Sequence, residues 1–209
     1  MAEQTEYVNY QGFKKHIETI HTLGEVIRAN IDSAYIELGK LKTATGWKGP
    51  QYDKLVKSFN DMKSGFDTIL DDIGYKIPNM MNTAASSWAK VDGATFGGVS
   101  VGFMKKITEL FPSSEPALTW NKTAVDESKQ AIEHHLDEAV NAIKELAVKF
   151  GALNVDWKGK DYDDNLKDIQ SYQNDVAAKV DELKADFVKY MNESISAYDT
   201  VRSAVAEWK

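Results

Sequence analysis

The sequence predicts an all-α protein: two long antiparallel helical hairpins forming a four-helix bundle, a covalent pseudo-dimer with a partly irregular linker. Three observations carry this expectation. Apolar residues recur at spacings near three, four and seven over most of the 209-residue chain, the narrow stripe of an antiparallel helix pair. Only 4 prolines and 13 glycines punctuate it, and most fall between the periodic stretches, which disfavours many short strands. The pattern Trp-Lys-Gly-x-x-Tyr-Asp occurs twice, starting at Trp47 and Trp157, 157 − 47 = 110 residues apart.

The first helix is read from Ile17, Ile20, Ile27, Ile31, Ala34, Leu38 and Leu41. The second follows the first Trp-Lys-Gly, with Phe59, Met62, Phe66, Leu70, Ile73, Ile77, Met80, Ala84 and Trp88. It carries Gly65, Gly74 and Pro78. An interior proline removes one hydrogen bond and clashes with the preceding turn, so a kink or break is expected near Tyr75 to Pro78. Residues 93–121 read as a linker. Glycines precede a short amphipathic helix over Phe103 to Phe111, and the breaker cluster Pro112-Ser113-Ser114-Glu115-Pro116 follows it.

The third helix is read from Ile132, Leu136, Ala139, Ile143, Leu146 and Phe150, and the fourth from Leu166, Ile169, Tyr172 or Gln173, Val176, Val180, Leu183, Phe187 and Tyr190. The 110-residue offset keeps the apolar positions in register beyond the motif: Phe66 meets Val176, Leu70 meets Val180, Ile73 meets Leu183 and Ile77 meets Phe187. Five identities within seven residues plus a shared periodicity mark a duplication.

Each turn has a physical logic. Its glycines end one helix and start the next. Pro50 suits a first helical turn, where a missing N–H costs nothing. Asp53, Asp161, Asp163 and Asp164 place negative charge at a helix N-terminus. Each Trp is expected to plug the open end of its hairpin. Tyr52 and Tyr162 suit either packing against the turn or contact with a partner.

The formal net charge of −7 argues against nucleic-acid binding, which needs a concentrated basic face. No cysteine is present, which excludes disulfides, thiolate nucleophiles and Cys-ligated zinc. No basic, apolar leader opens the chain and no stretch of about 18 apolar residues could span a bilayer. Glu18-x-x-His21 has the spacing of a di-iron helix motif but no second copy. His134 and His135 are neighbours that face apart on a helix, and the acidic run at Asp161 to Asp164 lacks a calcium loop's glycine and terminal Glu. No nucleophile–base pattern or phosphate-cradling loop occurs. An enzyme is not expected, nor is a cofactor or a metal.

A hundred-residue helical hairpin with Trp-x-Gly at its turn resembles the WXG family of type VII (ESX) secretion substrates. The resemblance covers residues 1–92 and 122–209 as two WXG-like hairpins; the linker has no counterpart in it. It implies dimer-like four-helix bundles exported without a signal peptide, so this chain would be cytoplasmic before export. The carried-over positions are Trp47 and Gly49, and Trp157 and Gly159, which in the family shape the turn and a cleft used in export or partner recognition. The family's export signal, a Tyr followed four residues later by Asp or Glu, is not matched: Tyr190 is followed by Ser194 and Tyr198 by Arg202. That favours a co-secreted helical protein or a secretion-system component as partner, with the chain a monomeric pseudo-dimer or a homodimer. Two other functions compete. A helical membrane-active, pore-forming-like toxin would use Val99 to Phe111 for membrane contact. An intracellular helical adaptor would use neither export nor lipid.

Overall fold

The computed structural model describes residues 7–43, 46–116 and 118–206; the polar stretch before Tyr7 and the terminal Trp208-Lys209 lie outside them. The protein is all-α: it is 79% helical, with four long helical runs and strands of only two residues each. The described elements are, in order, β1 (Tyr7–Val8), α1 (Tyr10–Thr43), β2 (Trp47–Lys48), α2 (Pro50–Asp71), a π-helical turn (Asp72–Lys76) and α3 (Ile77–Val91). After the linker come β3 (Thr119–Trp120), α4 (Lys122–Lys144), α5 (Leu146–Gly151), a 3-10 turn (Ala152–Val155), β4 (Trp157–Lys158) and α6 (Lys160–Ala206). Contacts divide the chain into two compact units. Unit one takes Met1–Ala29, Gly65–Lys106 and Glu138–Ala178; unit two takes Asn30–Ser64, Ile107–Asp137 and Lys179–Lys209.

Helix α1 shows why these runs form. No proline interrupts its 34 residues. The Asn9 side chain caps it, its Oδ1 accepting the Gln11 N–H at 3.2 Å. Ile17, Ile20, Ile27, Ile31, Ala34 and Leu38 are fully buried, with Phe13 extending the stripe. Each large apolar side chain removed from water contributes about 1.5–3 kcal/mol, so the stripe outweighs the modest helix propensity of its β-branched residues.

In unit one, where a kink or break was expected near Tyr75 to Pro78, the helical run continues unbroken through a π-helical turn that sets Pro78 in the first turn of α3. The Ile77 N–H reaches back to the Asp72 carbonyl, five residues away. Pro78 has no N–H to return to the carbonyl of Gly74, and the His21 Nδ1–H donates there instead. Helix α1 passes close by, because a side-chain carbon on Gly24 would lie 2.5 Å from Gly74 Cα. The Met104 sulfur closes this notch from above.

Unit two is built on an aromatic centre. Tyr35 donates its hydroxyl to the Phe59 carbonyl at 2.6 Å, and Phe59 packs edge-on against Phe187 at 5.4 Å. Lys184 pairs with Asp137 beside it.

The linker departs from expectation. The amphipathic helix expected over Phe103 to Phe111 is not there; residues 94–115 carry neither helix nor strand. Met104, Ile107 and Leu110 are buried at a three-residue spacing, while the residues between them are exposed. That spacing suits one helix face, but it is also the period of an extended polyproline-like strand. Helix side chains satisfy the backbone in place of helical hydrogen bonds. In unit one Asn82 grips Val99 at both its N–H and its carbonyl, each at 2.9 Å, and Asp71 takes the Met104 N–H. In unit two Asn60 grips Leu110 in the same two-sided way, at 3.1 and 2.7 Å. Buried backbone groups must find partners, and here the partners are amides and carboxylates that sequence periodicity does not reveal.

Candidate functional site

The two Trp-Lys-Gly turns are built alike. Gly49 and Gly159 have φ of 113° and 128°, a region side chains other than glycine's enter only with strain. Each Trp-Lys pair forms a two-residue antiparallel strand. In unit two Trp47 and Lys48 pair with Trp120 and Thr119; in unit one Trp157 and Lys158 pair with Val8 and Tyr7. Trp47 is fully buried and Trp157 is 2% exposed. Their rings meet the motif tyrosines in matching geometry, Trp47 to Tyr52 at 6.0 Å and Trp157 to Tyr162 at 5.9 Å, both at 68°.

The tyrosine hydroxyls are used inside the turns. Tyr52 donates to the Leu38 carbonyl at 3.3 Å and Tyr162 to the Gly151 carbonyl at 2.9 Å, oxygens near the ends of the preceding helices. Burial, and then the neighbouring Asp53 carboxylate, push the Tyr52 phenol up to about 12. Burial and Asp163 raise the Tyr162 phenol. Both stay neutral donors over the physiological range.

The site includes residues the sequence reading missed. Asn9 and Asn121 follow the strands that pair with the turns, and both cap a helix by side chain, Asn121 Oδ1 accepting the Ala124 N–H at 3.2 Å. Their own N–H groups donate to the residue just before each Trp: Asn9 to the Asp156 carbonyl at 2.6 Å, Asn121 to the Gly46 carbonyl at 2.7 Å. The available signal was an Asn before each apolar run, the residue type of a helix N-cap.

No family model, curated protein or solved structure matches the chain.

The turns differ in what surrounds them. In unit one the Asp156 carboxylate accepts the Asn9 amide at 2.6 Å and lies 3.1 Å from His16 Nε2. The matching place in the other turn is Gly46. In unit two Ser113 Oγ accepts the Gly49 N–H at 3.0 Å and donates to Asp53 at 2.8 Å. Gly49 is therefore buried, whereas Gly159 is half-buried and Lys158 exposed. One feature is common to both turns: the Trp47 and Trp157 indole N–H groups are each buried without an acceptor.

The weighed histidines lie apart from the turns. His21 is committed to Gly74, and the rings of His134 and His135 sit 5.8 Å apart on α4. Asp161 and Asp163 stand in the first turn of α6. Among the described residues no three His, Asp or Glu side chains are grouped to hold a metal.

Proposed function

We propose that the chain is a non-enzymatic type VII secretion substrate, or a helical partner co-secreted with an effector, acting through protein–protein contacts. The reading rests on one observation: the two turns repeat each other down to ring angle and tyrosine hydrogen bond. In each, the Trp-Lys strand pairs with residues that lead into the first helix of the other copy. That exchange is what a fused, antiparallel pair of hairpins in a four-helix bundle requires, and it supports reading residues 1–92 and 122–209 as a covalent pseudo-dimer. The partner surface would then lie at the turns, around Trp47, Gly49 and Tyr52 and around Trp157, Gly159 and Tyr162. The chain would be cytoplasmic before export by a signal-peptide-independent route. The test compares culture supernatants of wild-type and secretion-ATPase-null cells. Export requires abundance in the first and loss in the second; equal abundance in both would sink the reading.

A second reading follows from Phe103 and Phe111, 71% and 62% exposed on the linker, with Lys105 and Lys106 between them exposed as well. Apolar side chains beside cations suit an anionic membrane surface. No helix among the described residues is long and apolar enough to cross a membrane, so this contact would be peripheral. Anionic liposomes that fail to bind the protein at micromolar concentration would remove it.

A further inference from the structure

We propose that Ile107 to Ser113 is a peptide ligand held in cis, and that the groove beneath it in unit two is a binding site for extended peptides of the pattern apolar-x-x-apolar-x-x-Ser.

The segment is held as a bound peptide is held. Ile107 and Leu110 are its anchors, 2% and 4% exposed, while Thr108, Glu109, Phe111 and Pro112 face solvent. Gly39 on α1 makes room for Leu110, since a side-chain carbon there would lie 3.4 Å from Leu110 Cδ2. The remaining hold is on the backbone. Asp32 accepts the Thr108 N–H at 2.6 Å, Asn60 takes both polar groups of Leu110, and Asp53 accepts the Ser113 N–H at 2.6 Å. Backbone capture plus pockets at alternate sites is the general means of recognising an extended chain: the first gives affinity and the second selectivity.

The side chains that hold the segment belong to helices. Asp32 and Gly39 lie on the part of α1 within unit two and Asn60 and Asp53 on α2, the same two helices that carry Tyr35 and Phe59 of the aromatic centre. The segment itself has no helical or sheet hydrogen bonds of its own. The described contacts on it are two apolar anchors and side-chain bonds, Lys42 also reaching the Phe111 and Pro112 carbonyls at 3.4 and 3.5 Å. A segment without helical hydrogen bonds opens locally at lower cost than a helix core. Opening has a consequence at the first turn. Ser113 leaves the Gly49 N–H and the Asp53 carboxylate, and a turn that is covered becomes accessible. A trans peptide of the same pattern would displace the tethered segment and set its own Ser against the Gly49 N–H and the Asp53 carboxylate, so the Trp47 turn would then be covered in trans.

The probe is a fluorescent peptide of residues 105–115, read by anisotropy against the full chain. The tethered segment competes at high effective concentration, so wild type should bind it weakly. The variant Ile107→Ser with Leu110→Ser, which vacates the anchors without touching a helix, should bind about tenfold or more tightly than wild type. Adding Asn60→Ala should then weaken binding about fivefold, and a peptide with both anchors changed to Ser should bind neither chain. Equal affinity for the native and the anchor-less peptide would overturn the proposal. If the anchor variant does not fold, hydrogen exchange on wild type decides. The Thr108, Leu110 and Ser113 amides should exchange about 100-fold or more faster than the Phe59 amide. Equal protection would make the segment a fixed part of the core and overturn the proposal by itself.

Discussion

The Nδ1–H of His21 donates to the carbonyl of Gly74 at 2.5 Å, an oxygen that Pro78, four residues on, has no N–H to serve. A carbonyl can only accept, so a neutral His21 carries its proton on Nδ1. The sequence offered this histidine as half of a metal motif; the fold uses it to mend a helix.

His21→Ala should cost about 1–2 kcal/mol of stability, the loss of one buried partner. Pro78→Ala supplies an N–H that can take over the carbonyl, so His21→Ala should cost less in that background. Urea unfolding of the four chains in the cycle measures the coupling, expected at about 0.5–1 kcal/mol. Strict additivity would show that the two residues are unrelated.

Two glycine-to-alanine changes should move stability in opposite directions. At Gly24 the new carbon meets Gly74 Cα at 2.5 Å, backbone against backbone, and overpacking should cost about 1–3 kcal/mol or more. At Gly65, exposed in the interior of α2, nothing lies within 4 Å. There alanine should add about 0.5–1 kcal/mol by reducing the entropy lost on folding. Melting temperatures that move the same way would contradict the close approach.

The motif glycines should resist substitution in both copies. Gly49→Ala and Gly159→Ala force a side chain to φ of 113° and 128°, at about 1–3 kcal/mol each. Gly49→Ala should also slow or loosen the seating of Ser113, read as faster exchange of the Ser113 amide. Gly159→Ala should leave that amide unchanged.

Alkaline pH should weaken the fold through the turn tyrosines. The folded Tyr52 pKa is raised to about 12, against about 10 in an unfolded chain. Its contribution is therefore intact below about pH 10 and falls between about pH 10 and pH 12, where only the unfolded phenol has ionised. Tyr52→Phe removes that part of the decline at the cost of about 0.5–1.5 kcal/mol from the lost hydrogen bond. Unfolding curves at several pH values test it, and an unchanged alkaline slope in the variant would refute the assignment.

Much of the helical layout was legible because it follows from periodicity. The stripes of α1 and α6, the place of the irregularity before Pro78 and the duplicated turn all depend on residues close in sequence. The linker was misread for a reason the same periodicity supplies: Met104, Ile107 and Leu110 satisfy a helix face and an extended strand equally. The residues that choose between them, Asn82, Asp71, Asn60 and Asp53, lie far away in the chain. Even knowing them would not have sufficed. Asp163, Gln170, Asp181 and Asn192 stand 110 residues after Asp53, Asn60, Asp71 and Asn82, and all four are exposed on α6.

The sequence by itself determined the all-α class, the two turns and the glycine each requires, because backbone freedom and apolar spacing are local properties. Only the tertiary structure decided that Tyr52 and Tyr162 close their own turns and that Asn9 and Asn121 latch beside them. It alone decided that Ser113 covers one turn and leaves the other open. A hydrogen bond between distant residues leaves no period in the chain; it exists only once the helices have brought donor and acceptor together.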